Sequence, residues 1–214
     1  MALVTHGRFI TFEGGEGAGK STQSRRLAER LRALGHEVVL TREPGGSPGA
    51  EALRSLLVEG EADRWSPLSE TLMMYAARAD HLERTIRPAL ERGAWVICDR
   101  FLDSTRAYQG AGGGAPPELI AQLEQAVVGP DRPNLTLMFD LPVDVGLARS
   151  GARGGAARFE AKGVAFHQAL RAAFLAIARA EPDRCVVIDS TRDIGEVEAA
   201  VWAAVTAQFA VEGR

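Results

Sequence analysis

Five short apolar runs punctuate the chain: RFITFE (8–13), EVVLT (37–41), AWVICD (94–99), LTLMFD (135–140) and RCVVID (184–189). Each has the length of a strand and is nearly continuous rather than alternating, the pattern of strands covered on both faces. Between them lie stretches of helical periodicity. Residues 20–34 stop at Gly35, and residues 67–92, rich in Ala, Leu and Arg, stop at Gly93, a residue suited to close a helix. Further helices are predicted over 117–127, 143–150, 159–180 and 193–209; Asp193 and Glu196 form a capping-box pair at the start of the last. Strands alternating with helices mean parallel βα units. The fold class is therefore α/β, one five-stranded parallel sheet with helices on both faces.

No internal repeat or linker divides the sequence, and 214 residues suit a single domain, 1–214, able to bury roughly 70% of its extended surface. Two glycine-rich stretches interrupt the pattern. GAGGG (110–114) is open between a flexible surface loop and a functional one. SGARGGAAR (150–158) lies among Arg149, Arg153 and Arg158, which favours a mobile lid.

Composition narrows the functional classes. A formal charge of −3 excludes a surface dedicated to a nucleic acid polymer or a membrane, though not a local basic pocket. MALVTHGRF carries no apolar signal core and no apolar run reaches membrane-spanning length, so a cytoplasmic protein is expected. Cys98 and Cys185 border apolar runs and read as buried thiols of a reduced protein; the four histidines show no metal-ligand spacing.

One motif carries chemistry. Gly14-Gly15-Glu16-Gly17-Ala18-Gly19-Lys20-Ser21, followed by Thr22, satisfies G-x-x-x-x-G-K-[ST] and sits between a predicted strand and a predicted helix. Glycines let the backbone curl so that successive N–H groups face phosphate oxygens, and the helix N-terminus adds its positive end. Lys20 reaches the outer phosphates of a nucleoside triphosphate, and Ser21 offers a hydroxyl to Mg²⁺. Asp99, at the end of AWVICD, completes a metal site with Ser21 if its strand lies beside the first.

The chain lacks the N-K-x-D run of a guanine-reading GTPase, and where an ATPase carries Asp-Glu it has Asp99-Arg100. An arginine there suits an acceptor that already bears a phosphate, because its planar fork grips two oxygens.

At this point FEGGEGAGKST (12–22), TREPGG (41–46), YAARADH (75–81), DRFLDSTRAYQG (99–110), ARGGAARFE (152–160) and IDSTRDIGEV (188–197) together resemble the thymidylate kinase family, bacterial type, over nearly the whole chain. The resemblance implies a P-loop NTPase-type, nucleoside monophosphate kinase-like fold with a lid at about 149–160. It also implies transfer of the ATP γ-phosphoryl to dTMP with Mg²⁺ as cofactor, and a homodimer. By the same resemblance Arg100 grips the dTMP phosphate with Arg54 as a second donor, and Arg78 reads the thymine ring with Thr105 and Gln109. Tyr108 packs on the sugar, Glu16 accepts from its 3′-hydroxyl, and Glu43 lies near the phosphate and metal. Arg149 with Ser190, Thr191 and Arg192 forms the adenine shelf. The phosphate loop has no arginine of its own, so the lid has to supply one, Arg153 first and Arg158 second. One departure stands out: Met74 occupies the place of the family's base-stacking phenylalanine, leaving the base to Met74 or to Tyr75. Kinases of other nucleoside monophosphates, and an ATP-binding regulatory module, are the competing readings.

Overall fold

The computed structural model describes residues 7–61, 63–151, 159 and 162–211. All five apolar runs form strands: β1 (Arg8–Gly14), β2 (Val38–Arg42), β3 (Trp95–Asp99), β4 (Leu135–Asp140) and β5 (Cys185–Asp189). They build one parallel sheet in the order β2-β3-β1-β4-β5. Chain order reverses around β1, so a crevice opens beyond its C-terminal end, the usual ligand position in such sheets.

Helices cover both faces. α1 (Lys20–Ala33) and α9 (Ile194–Gln208) pack on one, where Leu27, Leu31, Val197 and Val201 meet Ile10, Phe12, Ile97 and Leu137. On the other face Phe9, Val96 and Cys98 meet Leu82, Ile86 and Ala89 of the helical continuation of α3 (Pro67–His81). There also Met138 and Cys185 meet α8 (Val164–Ala180) through Leu170 and Phe174. Because strand side chains alternate, Phe9, Thr11 and Glu13 of β1 share this second face. Both cysteines are free and buried, as expected.

The helix predicted over 67–92 runs on from α3 through a π-helical turn (Leu82–Ile86) into α4 (Arg87–Glu91), leaving at Gly93. α6 (Pro117–Val127), α7 (Val143–Gly151) and α9 match expectation, and Asp193 makes the full capping box with Glu196. α8 begins only at Val164, later than its predicted start. Two elements were not expected: α2 (Pro48–Val58), and α5 (Leu102–Thr105) with the π-helical turn after it (Arg106–Ala111). The GAGGG stretch is a packed turn rather than a flexible loop. Gly114 N–H donates to Gly110, and a Cβ on Gly112 would stand 2.6 Å from the Phe166 ring. Among the described residues no helix is long and apolar enough to cross a membrane.

Candidate active site

β1 ends at Gly14 and α1 begins at Lys20, so the intervening loop curls at the centre of the crevice. Gly17 permits the curl: its φ is 69°, and a Cβ there would lie 2.1 Å from the Gly146 carbonyl oxygen. Lys20 is buried and its ammonium donates to the carbonyls of Gly14 (3.1 Å) and Gly15 (2.6 Å). Burial, reinforced by the neighbouring Arg100 charge, brings its pKa down to about 8. An anionic ligand on the loop would add counter-charge to that of Glu16, Asp99 and Glu13 and favour the charged ammonium.

β3 does lie beside β1, with Asp99 opposite Phe12, and the Ser21 hydroxyl donates to Asp99 Oδ2 at 2.5 Å. One hydroxyl and one carboxylate oxygen in contact fit Mg²⁺, a hard cation that takes few protein ligands beside phosphates and water.

Two cavities meet here. One, of about 310 Å³, holds Lys20, Ser21 and Asp99 together with the loop residues Glu16 to Gly19. The other, of about 250 Å³, is lined by Met74, Arg78, Thr105, Tyr108 and Gln109. Glu16, Glu43, Arg54 and Arg100 line both.

Arg100 sits at this junction. Its Nη1 donates to the Gly14 carbonyl (3.0 Å), its Nη2 to Glu16 Oε1 (2.8 Å), and its guanidinium lies 4.8 Å over the Tyr108 ring. Burial opposes the charge, but Glu16, Tyr108 and Asp99 outweigh it and raise the guanidinium pKa. For Glu16, burial is likewise outweighed: Arg100 and Lys20, with the Tyr108 hydroxyl donating at 2.7 Å, bring its carboxyl down to about 2. Arg54 reaches the Pro44 carbonyl (2.6 Å), its pKa lowered by burial and by Arg42. These contacts hold two cations at the seam between the cavities.

The second cavity has polar groups in waiting. Arg78 donates through Nε to Glu43 Oε2 (2.8 Å) and through Nη2 to the Phe101 carbonyl (3.0 Å) and Thr105 Oγ1 (2.9 Å). Its Nη1 is buried without a partner. Gln109 donates to Glu70 Oε1 (2.9 Å), and its Oε1 is also buried and unpartnered. Buried polar atoms are nearly always paired, so an orphan donor and an orphan acceptor on residues of one cavity point to a ligand offering the complement.

Three placements add detail that the residues alone did not supply. Glu43 lines the cavity that holds Ser21 and Asp99 as well as the second one, and its carboxylate pairs with Arg78 and with His81 Nδ1 (3.0 Å), because the Arg78 guanidinium is buried and needs a counter-ion. Met74 lines the cavity, whereas Tyr75 does not. Its hydroxyl donates to the Ile120 carbonyl (3.2 Å) and its ring backs the Arg78 guanidinium at 4.9 Å. Phe159, which had no role in the sequence reading, adds an aromatic wall, edge-on to Tyr108 at 5.4 Å. It is the only aromatic residue in ARGGAARFE, which was the available signal.

A third cavity, of about 420 Å³, joins Thr22 to Arg149, Ser190 and Arg192, with Arg149 donating to the Ser190 carbonyl (3.2 Å). Thr191 does not line it; its hydroxyl donates to Asp189 Oδ1 (2.6 Å). Arg153 and Arg158 lie outside the described residues.

Comparison with known proteins agrees with this geometry. A family model described as Thymidylate kinase matches residues 12–201. A protein named thymidylate kinase from Caulobacter vibrioides is 69% identical, covering 92% of this chain and 95% of its own. One from Dinoroseobacter shibae is 57% identical over 95% of this chain and 99% of its own. The crystal structure of thymidylate kinase from Ehrlichia chaffeensis aligns with a TM-score of 0.76 at 38% identity, covering 94% of this chain and 99% of that one. On the family match over most of its length and on relatives this similar, the chain belongs to the thymidylate kinase family.

Proposed function

We propose that this chain transfers the γ-phosphoryl group of ATP to the phosphate of dTMP, giving ADP and dTDP. The observation that carries the reading is the pair of cavities sharing Glu16, Glu43, Arg54 and Arg100, one beside the phosphate loop and one beside the orphan atoms of Arg78 and Gln109. Two anions can be held there end to end, with cations at the seam to offset their repulsion.

The loop N–H groups and Lys20 hold the ATP phosphates. Ser21 and Asp99 would hold Mg²⁺, which when bound offsets charge on those phosphates. Arg100 and Arg54 hold the acceptor phosphate in line. Because that phosphate is already an anion at neutral pH, positioning and charge neutralisation carry the catalysis, and little general-base help is required. Arg78 Nη1 donates to a ring carbonyl of the base, Gln109 Oε1 accepts from its ring N–H, and Met74 covers its face. Tyr108 lies against the sugar, Glu16 accepts from the 3′-hydroxyl, and Arg149 with Ser190 and Arg192 supports the adenine. Arg153, with Arg158 as second choice, supplies from the lid the charge that the phosphate loop lacks; an arginine so placed is worth about 10³–10⁵ in rate.

The reading carries with it a cytoplasmic setting, a single working unit over 1–214, and a homodimer. For the last, Leu56, Leu68 and Leu72 on α2 and α3 stand 39%, 51% and 45% exposed, an apolar face that a second copy would cover. The test is product formation from ATP and Mg²⁺ with dTMP, dUMP, dCMP, dGMP and dAMP in turn. The reading expects dTDP to dominate; preference for a purine monophosphate would contradict it.

A further inference from the structure

Among the described residues, Arg100 is the non-glycine residue with a positive φ, 69°. L side chains adopt that left-handed conformation only under constraint, and here the constraint comes from β1. The Phe12 carbonyl accepts from Arg100 N–H at 2.9 Å, and the Gly14 carbonyl accepts from Arg100 Nη1 at 3.0 Å. Between those two residues, the fully buried Glu13 reaches across to the same turn. Its Oε1 accepts from Phe101 N–H (2.8 Å) and its Oε2 from the Ser104 hydroxyl (2.5 Å). Ser104 Oγ in turn accepts from Arg100 Nη1 at 3.3 Å. Glu13 itself lines neither the phosphate cavity nor the acceptor cavity. A buried carboxylate is costly to keep, and this one touches the residue after Arg100 and a hydroxyl that contacts the Arg100 guanidinium.

We infer that Glu13 is a positioning residue, whose buried carboxylate fixes the turn that aims Arg100 at the acceptor phosphate; the assignment rests on the kinase reading above. It acts through Arg100 and does not meet a substrate.

The surroundings make the role sensitive to protonation. Among charged groups Asp103 on α5 and Arg100 act most strongly on Glu13, and Asp103 is itself held by Arg184 with 2.8 Å to each oxygen. Lys20 on α1, Arg78 on α3, Cys98 on β3 and Cys185 on β5 lie within its electrostatic reach. Burial, and then Asp103, push the Glu13 carboxyl up to about 7, against the pull of Ser104, Arg100 and the Phe101 N–H. Ionised, Glu13 accepts from both Phe101 and Ser104. Protonated, it has a proton of its own to place, and the Ser104 hydroxyl gives up its bond.

The experiment compares the parent protein with Glu13→Gln and Ser104→Ala, measuring dTMP and thymidine affinity without ATP at pH 6 and pH 8. Thymidine lacks the phosphate that Arg100 would hold, and the phosphate's own titration is common to all three proteins. Glu13→Gln should weaken dTMP ~10-fold relative to the parent at pH 8, the scale of one hydrogen bond to a charged group, and less at pH 6. Thymidine affinity should stay within ~2-fold, because the contacts to the base are not changed. Equal losses for both ligands, or a dTMP ratio that does not change with pH, would overturn the assignment. If Glu13→Gln does not fold by near-ultraviolet circular dichroism, Ser104→Ala decides: a loss confined to dTMP supports the role, and no loss refutes it. Failure of the parent protein itself to phosphorylate dTMP counts against the kinase reading, and is read from turnover rather than from these ratios.

Discussion

Replacing Glu43 by Gln should destabilise the protein more than any other isosteric change in the acceptor cavity. The Arg78–Glu43 pair has side chains only 2% and 5% exposed, and both Glu43 oxygens are engaged, one by Arg78 and one by His81. The substitution keeps the shape but leaves the Arg78 guanidinium buried without a counter-charge. Removing one partner of such a pair costs about 3–5 kcal/mol. Arg78 retains its bonds to Phe101 and Thr105, so the lower end applies, about 3 kcal/mol out of a typical total of 5–15 kcal/mol. For a chain of this size that corresponds to a fall of about 6–12 °C in Tm. Urea denaturation is the assay: the midpoint should drop while the slope is unchanged. Adding Arg78→Met should cost less than the sum of the two single changes, since the stranded charge is gone. A midpoint shift below about 1 kcal/mol, or strict additivity, would refute the view that this pair is a mutually dependent buried unit.

Lys20→Ala should abolish turnover while leaving the thermal melt close to that of the parent; near-normal turnover would remove Lys20 from the site. Gly17→Ala should cost about 2 kcal/mol or more, because the new Cβ meets the Gly146 carbonyl at 2.1 Å and φ is 69°; an unchanged melt would show that the loop can give way. Glu16 titrates at about 2 in the folded chain against 4.5 as the ordinary value. Its contribution to stability is therefore fully present above pH 4.5 and is lost as pH falls toward 2. Glu16→Gln should show a shallower acid limb of stability against pH than the parent, and superimposable limbs would contradict the ion-pair account.

The parts of this protein that could be read from sequence are those in which local pattern and local chemistry agree. Unbroken apolar runs gave all five strands, since a strand buried on both faces has no polar side to show. The phosphate loop and Asp99-Arg100 were legible because each joins a strand end to a helix start, where side chains emerge at the crevice. The unread parts depend on contacts distant in sequence. α2 opens in GGSPGA, whose glycines and proline read as loop, and Asp80 of α3, bonded to Ser47 and to the N–H groups of Gly49 and Ala50, fixes its start from a distance in sequence. Met74 and Tyr75 are adjacent, so composition could not choose between them; the packing of α3 on α6 sends the tyrosine to Ile120 and leaves methionine at the cavity. For Glu43 the pairing with Arg78, 35 residues away, had no local signal. Glu13 resembled a strand-end residue, and its contacts to Phe101 and Ser104 exist only because β3 is laid beside β1.

The account stands on one cleft that brings the phosphate ends of two nucleotides together. Purified protein with ATP and Mg²⁺ should release ADP slowly alone and far faster once dTMP is added, and the increment should vanish in Arg100→Ala. ADP release indifferent to dTMP, or an increment that survives in Arg100→Ala, would contradict it.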